Sequence, residues 1–465
     1  MPNASDLFNL GNAAVVAPAG HGKTEIIANV AALGQRALIL THTHAGVHAI
    51  RSRLKRLGVP RARVAVDTIA GWCMRYSHAF PGIAKPPACM PQGAAEWDQL
   101  YRGARLTLNV AAVRTVIASS YDRILIDEYQ DCGSVQHELA TELARIVPTL
   151  IFGDPMQGIF EFAGAALRWD VDIHPLFPFA GTLETPHRWA GKNPALGHWI
   201  SETREKLLAG KPIDLADPRI TFKQSNDAFD LGVLFEGMDG KEGSFAALHC
   251  NKTICYRLAK AAGGGYQAIE EVAAGRLRKF AGLWDQASDG AGRLEAITSL
   301  LLDSFSIKAP ANGVDVDPED AELETVLREI EITLDVGNGA EAAAQIMVLT
   351  RKHSRWKLFR SELWRDAERA ATEIANGRAE SMDNAITNVR QRVSMSGRKL
   401  PKRTVSTPLL LKGLEFDHVV IPDASHFATQ QYSQAKLFYV AISRATRSLT
   451  ISAPNRWITL PPPSI

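Results

Sequence analysis

Cysteine is scarce and unpatterned: Cys73, Cys89, Cys132, Cys250 and Cys255 are odd in number, scattered over 465 residues, and form no CxxC pair. That excludes a disulfide framework and a thiolate metal knuckle, and it predicts reduced thiols in a cytoplasm. His249 beside Cys250 is followed by no second ligand pair at metal spacing. No apolar run approaches the roughly 20 residues of a membrane span, and no charged-then-apolar leader opens the chain. The expectation is a cytoplasmic protein without a membrane partner. A charge excess is missing too. With 52 Lys+Arg against 50 Asp+Glu the net charge is +2, so any contact with a polyanion has to be a local groove. Repeats and low-complexity tracts are absent apart from the terminal prolines at 461–463. The chain does have 46% apolar residues, ample for the cores of more than one domain.

Apolar strand-like runs alternate with helix-length stretches in the first and last thirds. RALILT (36–41), DRILID (122–127), TLIFGD (149–154) and GTLE (181–184) form one set; FAALHC (245–250), HVVIP (418–422) and SLTIS (448–452) form another. This rhythm predicts an α/β protein with two parallel sheets. Between them, residues 261–402 read as a mostly helical insertion, beginning at Gly263–Gly265 and carrying an acidic run at 315–331.

Two segments carry chemistry. APAGHGKT (17–24) follows the apolar run AAVVA (13–17) and precedes a helix-like EIIANVAAL (25–33). A glycine loop opening a helix wraps phosphates in backbone amides, so Ala19, Gly20, His21, Gly22, Lys23 and Thr24 are candidate nucleotide contacts. Lys23 suits the outer phosphates and Thr24 a magnesium ion; Ala17 fills the place of the first glycine in GxxxxGK[ST]. ILIDEYQD (124–131) supplies carboxylates at the end of a buried strand, costly there unless they hold a metal or act on water. Asp127 suits the metal and Glu128 the catalytic base, while Gln157, beside Asp154, can sense the γ-phosphate and orient the water. Together these segments read as an ATP- and Mg2+-dependent engine.

The ordered elements resemble the UvrD/Rep/PcrA-like helicases of superfamily 1A, ATP-driven motors on single-stranded nucleic acid. THTHAGVHAIRSRL (41–54) and DTIAGW (67–72) are similar to strand-binding segments of that family, and DEYQD (127–131) to its DExQD. GDPMQGIFEFAGA (153–165) is similar to GDxxQxIYxWRGA, LETPHRW (183–189) to the NYR element, KGLEFDHVVI (412–421) to KGLEFD, and YVAISRA (439–445) to YVAxTRA. The resemblance implies two RecA-like domains with ATP hydrolysed in the cleft between them. It divides the chain into a first domain at 1–182, with a reduced accessory insertion at 73–120, and a second domain at 183–260 and 403–465, interrupted by the helical insertion at 261–402. It assigns Arg188 and Arg444 to the γ-phosphate, His187 and Glu415 to the nucleotide, and Thr41, Thr43, Thr68 and Thr407 to the strand's phosphates. Phe162 stands at the position of an aromatic that stacks on a base.

This sequence departs from the family pattern at several points. No adenine-reading glutamine element is recognisable in 1–12, and His187 replaces a tyrosine. Ala45 and Leu409 stand where the family has a lysine and a histidine, and Ala70 and Ala163 where it has a histidine and an arginine. Basic clusters at Arg51, Arg53, Lys55, Arg56, Arg61 and Arg63, and at Arg392, Arg398, Lys399, Lys402 and Arg403, read equally as solvated faces or as strand contacts. RKHSRWKLFRSELWR (351–365) reads as one amphipathic helix burying Trp356 and Trp364. The leading expectation is a 3′–5′ single-stranded DNA translocase or helicase. A second is a DNA-end-sensing ATPase that regulates a nuclease subunit, on the compact plan of Gabija-type anti-phage systems. A third, a nucleotide kinase, is opposed by DEYQD and the paired arginines.

Overall fold

The structure is a computed structural model that describes residues 2–88, 91, 93–159, 167–235, 238, 240–269, 273–307, 334, 339–352, 356–396 and 400–464. The chain forms two compact units, one of Met1–Arg219, Phe427–Arg447 and Trp457–Ile465, the other of Ile220–His426 and Ser448–Arg456.

In the first unit, β1 (Ala13–Val16), β2 (Ala37–Thr41), β3 (Val64–Thr68), β4 (Arg123–Ile126), β5 (Thr149–Gly153) and β6 (Phe179–Thr182) pair in parallel in the order β3-β2-β4-β5-β1-β6. The inner strands are buried along their whole length, as covered parallel strands must be, which is why AAVV, ALILT, RILI and TLIFG are continuous apolar runs. Alternate residues feed opposite faces. Val15, Ile39, Leu125 and Phe152 pack on the side of the helix Lys23–Leu33, whereas Leu38, Leu40, Ile124 and Ile126 pack with Trp72, Leu100 and Ile117 from the helices between β3 and β4. Those helices, Ile69–Ala79, Pro81–Ala84, Ala94–Thr107 and Ala111–Ser120, thus share the core of the sheet they interrupt. The strand expected at 181–184 begins two residues earlier, as β6, and β3 is a strand that the apolar pattern did not single out. A short β7 (Ile213–Asp214) pairs antiparallel with Trp457–Ile458.

The second unit contains β8 (Thr221–Gln224), β9 (Phe245–Leu248) and β10 (Gln267–Ala268), then β11 (Phe305–Ile307), β12 (Trp356–Leu358), β13 (Arg403–Ser406), β14 (Phe416–Ile421) and, from Ser448 on, β15 (Ala445–Ala453). The order β10-β13-β9-β14-β15-β8 makes a second six-stranded sheet. The two sheets and the helices between and around them are the α/β class expected from the sequence. The insertion has its own core, in which Leu277, Phe280, Ile297, Met347, Trp364 and Ile386 meet. Within it the segment expected as one amphipathic helix is divided: Arg351 and Lys352 end a helix, Trp356–Leu358 pair antiparallel with Phe305–Ile307, and a new helix runs over Ser361–Ala375. The ladder claims Trp356, while Trp364 is fully buried and donates its indole N–H to the Met347 carbonyl at 3.1 Å. The acidic run at 315–331 lies outside the described residues. Among the described residues no helix is long and apolar enough to cross a membrane.

One close approach sets the geometry of the short helices before β4: a Cβ on Gly103 would sit 2.3 Å from the Ala84 carbonyl oxygen. Gly103→Ala is expected to destabilise the fold by about 1–3 kcal/mol, because backbone must shift to admit the methyl group. Urea denaturation followed by circular dichroism checks this, and an unchanged midpoint would count against the packing described.

Candidate active site

Parallel strands end together, so the residues after each strand are brought to one edge of the sheet. Val16 is in register with Gly153, and Leu40 with Ile126. The ladder continues one bond further: the Ala17 N–H donates to Gly153 O and the Asp127 N–H to Leu40 O, both at 2.8 Å. The glycine loop, the carboxylates after β4 and the polar turn after β5 are therefore neighbours by construction.

The loop between β1 and the helix Lys23–Leu33 turns through Gly20 (φ 75°) and Gly22 (φ 83°), both in the left-handed region that favours glycine. A Cβ at Gly20 would lie 2.7 Å from the Arg188 Cβ, and one at Gly22 3.0 Å from the His187 ring. No side chain caps the helix that starts at Lys23, leaving its first amides to an anion. His21 is buried, its Nδ1 2.9 Å from the Ala19 carbonyl, and burial holds its pKa below the usual value.

The Lys23 ammonium lies 2.6 Å from Asp127 Oδ1 and 2.5 Å from Glu128 Oε1. Burial alone disfavours the charged amine, but the two carboxylates outweigh it and hold its pKa above the ordinary lysine value. Burial pushes the Asp127 carboxyl upward, a bias that Lys23 only partly offsets. Glu128 occupies the left-handed region at φ 56°, where a non-glycine residue stores on the order of 1–3 kcal/mol. Its N–H donates to Asp127 Oδ1 at 2.9 Å, and Gln130 Nε2 donates to Glu128 Oε2 at 2.5 Å. Gln130 Oε1 in turn accepts the Asp154 N–H at 3.0 Å, tying the end of β4 to that of β5.

After β5, Asp154 is fully buried. It accepts from Gln157 Nε2 at 3.1 Å, from the Met156 N–H at 3.1 Å and from the Arg204 guanidinium at 3.0 Å. Burial penalises the Arg204 charge, yet Asp154 keeps its pKa above the usual arginine value.

Arg188 sits in the short helix His187–Ala190. Its N–H donates to Gly20 O at 3.0 Å and its guanidinium to Ser443 O at 2.7 Å. Arg444, buried, donates through Nε to Val440 O at 2.9 Å and through Nη2 to Ser443 Oγ at 2.8 Å. Both arginines thus converge on Ser443. Tyr439, one turn earlier, accepts the Ala19 N–H on its hydroxyl at 3.0 Å.

The structure therefore brings Lys23, Asp127 and Glu128 together, and sets His187 and Arg188 against the glycine loop. Thr24 is half-buried in the first turn of the loop's helix. Thr41 is buried at the end of β2, and Thr43 and Thr68 cap helices by accepting the Gly46 and Gly71 N–H groups. Thr407, after β13, and the exposed Glu415, before β14, belong to the second unit. Phe162 and Ala163 lie outside the described residues.

Tyr439, Gln130 and Arg204 were not singled out from the sequence. Tyr439 and Gln130 lie inside YVAISRA and DEYQD, where only the arginine and the carboxylates drew attention. Arg204 falls on the buried stripe of the helix Pro194–Leu208, with Leu196, Ile200 and Leu207, and a cation on an apolar stripe is a readable signal.

The residues fit a nucleotide with a divalent ion: a tight glycine cradle, uncapped helix amides, and a cation already held by the two carboxylates. Among the described residues no cluster of three or more His, Cys, Asp or Glu could hold a metal. Thr24 and Asp127 with phosphate oxygens and water are the set that magnesium prefers. Arg204→Met should cost about 3–5 kcal/mol of stability by stranding the buried Asp154 charge, and adding Asp154→Asn should recover part of it. Denaturation midpoints of the single and double variants check this, and additive losses would contradict the pairing.

Residues 88–172 match the family model of the UvrD/REP helicase N-terminal domain, and residues 405–452 that of the UvrD-like helicase C-terminal domain. The glycine loop lies outside both matches. No curated protein matches the chain. Solved structures similar to it include the crystal structure of Arterivirus nonstructural protein 10 (helicase), at 12% identity and a TM-score of 0.35, covering 95% of this chain and 60% of that one. The complex of that helicase with DNA is similar at 12% identity and a TM-score of 0.34, with 95% and 61% covered. The chain thus spans about three-fifths of the length of these helicases. The two matched segments, similar to the N-terminal and C-terminal domains of UvrD-like helicases, follow in that order along the chain.

Proposed function

We propose that the chain is an ATP-dependent translocase and helicase of superfamily 1A, moving 3′–5′ on single-stranded DNA in the cytoplasm. The observation that carries this reading is the Lys23 ammonium held by Asp127 and Glu128 beside an uncapped glycine-loop helix. In the proposed cycle Lys23 turns to the outer phosphates, freeing both carboxylates. Glu128 holds the attacking water and takes its proton on a carboxylate oxygen, and Gln157 orients that water. Magnesium, when bound by Thr24 and Asp127, supplies divalent charge across the outer phosphates. Arg188 and Arg444 supply positive charge where the transition state accumulates negative charge, exchanging their Ser443 contacts for phosphate oxygens. His187, exposed beside Gly22, is placed to cover the nucleotide base, and Glu415 to complete its binding. Thr41, Thr43, Thr68, Phe162 and Thr407 are proposed contacts of the strand.

One observation favours a second reading. The helices between β3 and β4 are absorbed into the first unit's core, which fits an ATPase that senses DNA ends for a nuclease partner, as in Gabija-type defence, more than a processive unwinder.

Glu128→Gln should keep ATP binding and slow hydrolysis by roughly 10²–10⁴-fold. Near-normal turnover in a DNA-stimulated ATPase assay would remove Glu128 from the role of base. Stopped-flow travel times on end-labelled oligonucleotides separate the two readings. A motor gives times that lengthen with the oligonucleotide; a sensor gives ATPase stimulation with no length dependence.

A further inference from the structure

Beside the first sheet runs a groove of about 1020 Å³ that the catalytic reading leaves unused. Its floor is the edge strand β3, and its wall is one stripe of the helix His44–Arg56, where His48, Arg51, Ser52 and Lys55 follow the three-and-four spacing of a single helical face. Arg61 lines one end, beyond the helix, and Asp67 with Arg75 the other.

The charge along it is one-sided. Asp67 is engaged by Arg75. Arg51 donates to the Val66 carbonyl at 2.7 Å, an occupied backbone acceptor on a strand that would otherwise invite another strand. His48, Lys55 and Arg61 are exposed, and no described residue supplies a carboxylate to any of them. Arg53, on a neighbouring face of the same helix, is by contrast paired with Glu25.

We infer that this groove binds the phosphate backbone of a single nucleic-acid strand as it leaves the Thr43 and Thr68 helix caps. This rests on the nucleic-acid reading proposed above. β3 is five residues long, about 16 Å, and the groove's basic side chains face it from one stripe of the helix His44–Arg56 and from Arg61, as a row instead of a point. A row of cations matches a repeating phosphate chain, and side chains without planar base-reading partners position a strand without reading it. The groove's lining reaches Asp67, the residue before Thr68 at the end of β3, so the track adjoins the proposed strand contacts. The floor presents outward only the small Ala65 and Asp67, the latter held by Arg75.

The test is a Lys55→Ala/Arg61→Ala double variant, with oligo-dT binding followed by fluorescence anisotropy over a salt series. Both residues are exposed, so the denaturation midpoint should equal that of the wild type. The slope of log K against log salt should become shallower by about 1.4, at ~0.7 for each single-strand phosphate that is no longer neutralised, with binding roughly tenfold or more weaker at low salt. An unchanged slope and affinity, in a wild type that binds oligo-dT and responds with ATPase stimulation, would overturn the groove and leave the motor reading standing. A wild type that binds no oligo-dT would overturn both. Loss of polyglutamate binding with oligo-dT binding intact would transfer the groove to an acidic protein segment and refute the strand.

Discussion

Three charges share the edge of the first sheet, and the rest of the site is arranged around their mutual compensation. Lys23 on one side and Asp127 with Glu128 on the other are each costly to bury alone. They reach one another because β1 and β4 both flank β5, Val16 level with Gly153 and Ile126 with Ile151, and the two residues that follow Ile126 are the carboxylates. The apolar strands are thus the means by which a strained Glu128 backbone and a desolvated ammonium are kept in place. The secondary bonds from Gln130 and Asp154 hold the neighbouring strand end to the same arrangement.

The parts of this fold that were legible in the sequence are those whose physics is local. β1, β2, β4, β5, β9 and the end of β14 announce themselves because a strand covered on both faces is a continuous apolar run, whereas β15 shows itself through the alternating SLTIS. β3 alternates buried and exposed residues at an edge, β8 is half-exposed, and β10 has two residues, so none of them produces such a run. The glycine loop and DEYQD were readable because consecutive residues at a strand end do the work. The Ala19–Tyr439 bond spans 420 positions and the Asp154–Arg204 pair 50, distances that no window of sequence joins. Trp356 shows the opposite failure, a sound helical pattern overridden by a two-stranded ladder with Phe305–Ile307.

The near-zero net charge conceals strong local contrast. Several carboxylates of the first unit are engaged inside, by Lys23 and Arg204, or in surface pairs such as Asp67 with Arg75. The cations of the helix His44–Arg56 remain largely uncompensated. At Thr43 and Thr68 each hydroxyl oxygen accepts a helix N–H and keeps its own proton to donate.

The Tyr439 hydroxyl on the Ala19 amide means that the glycine loop does not wait with all its donors idle. A phosphate binding there, as proposed above, would swap one acceptor for another, so that donor would add little net binding energy. On the nucleotide reading proposed above, the same exchange would run in reverse: as the phosphate leaves, the buried Tyr439 phenol would take the amide back.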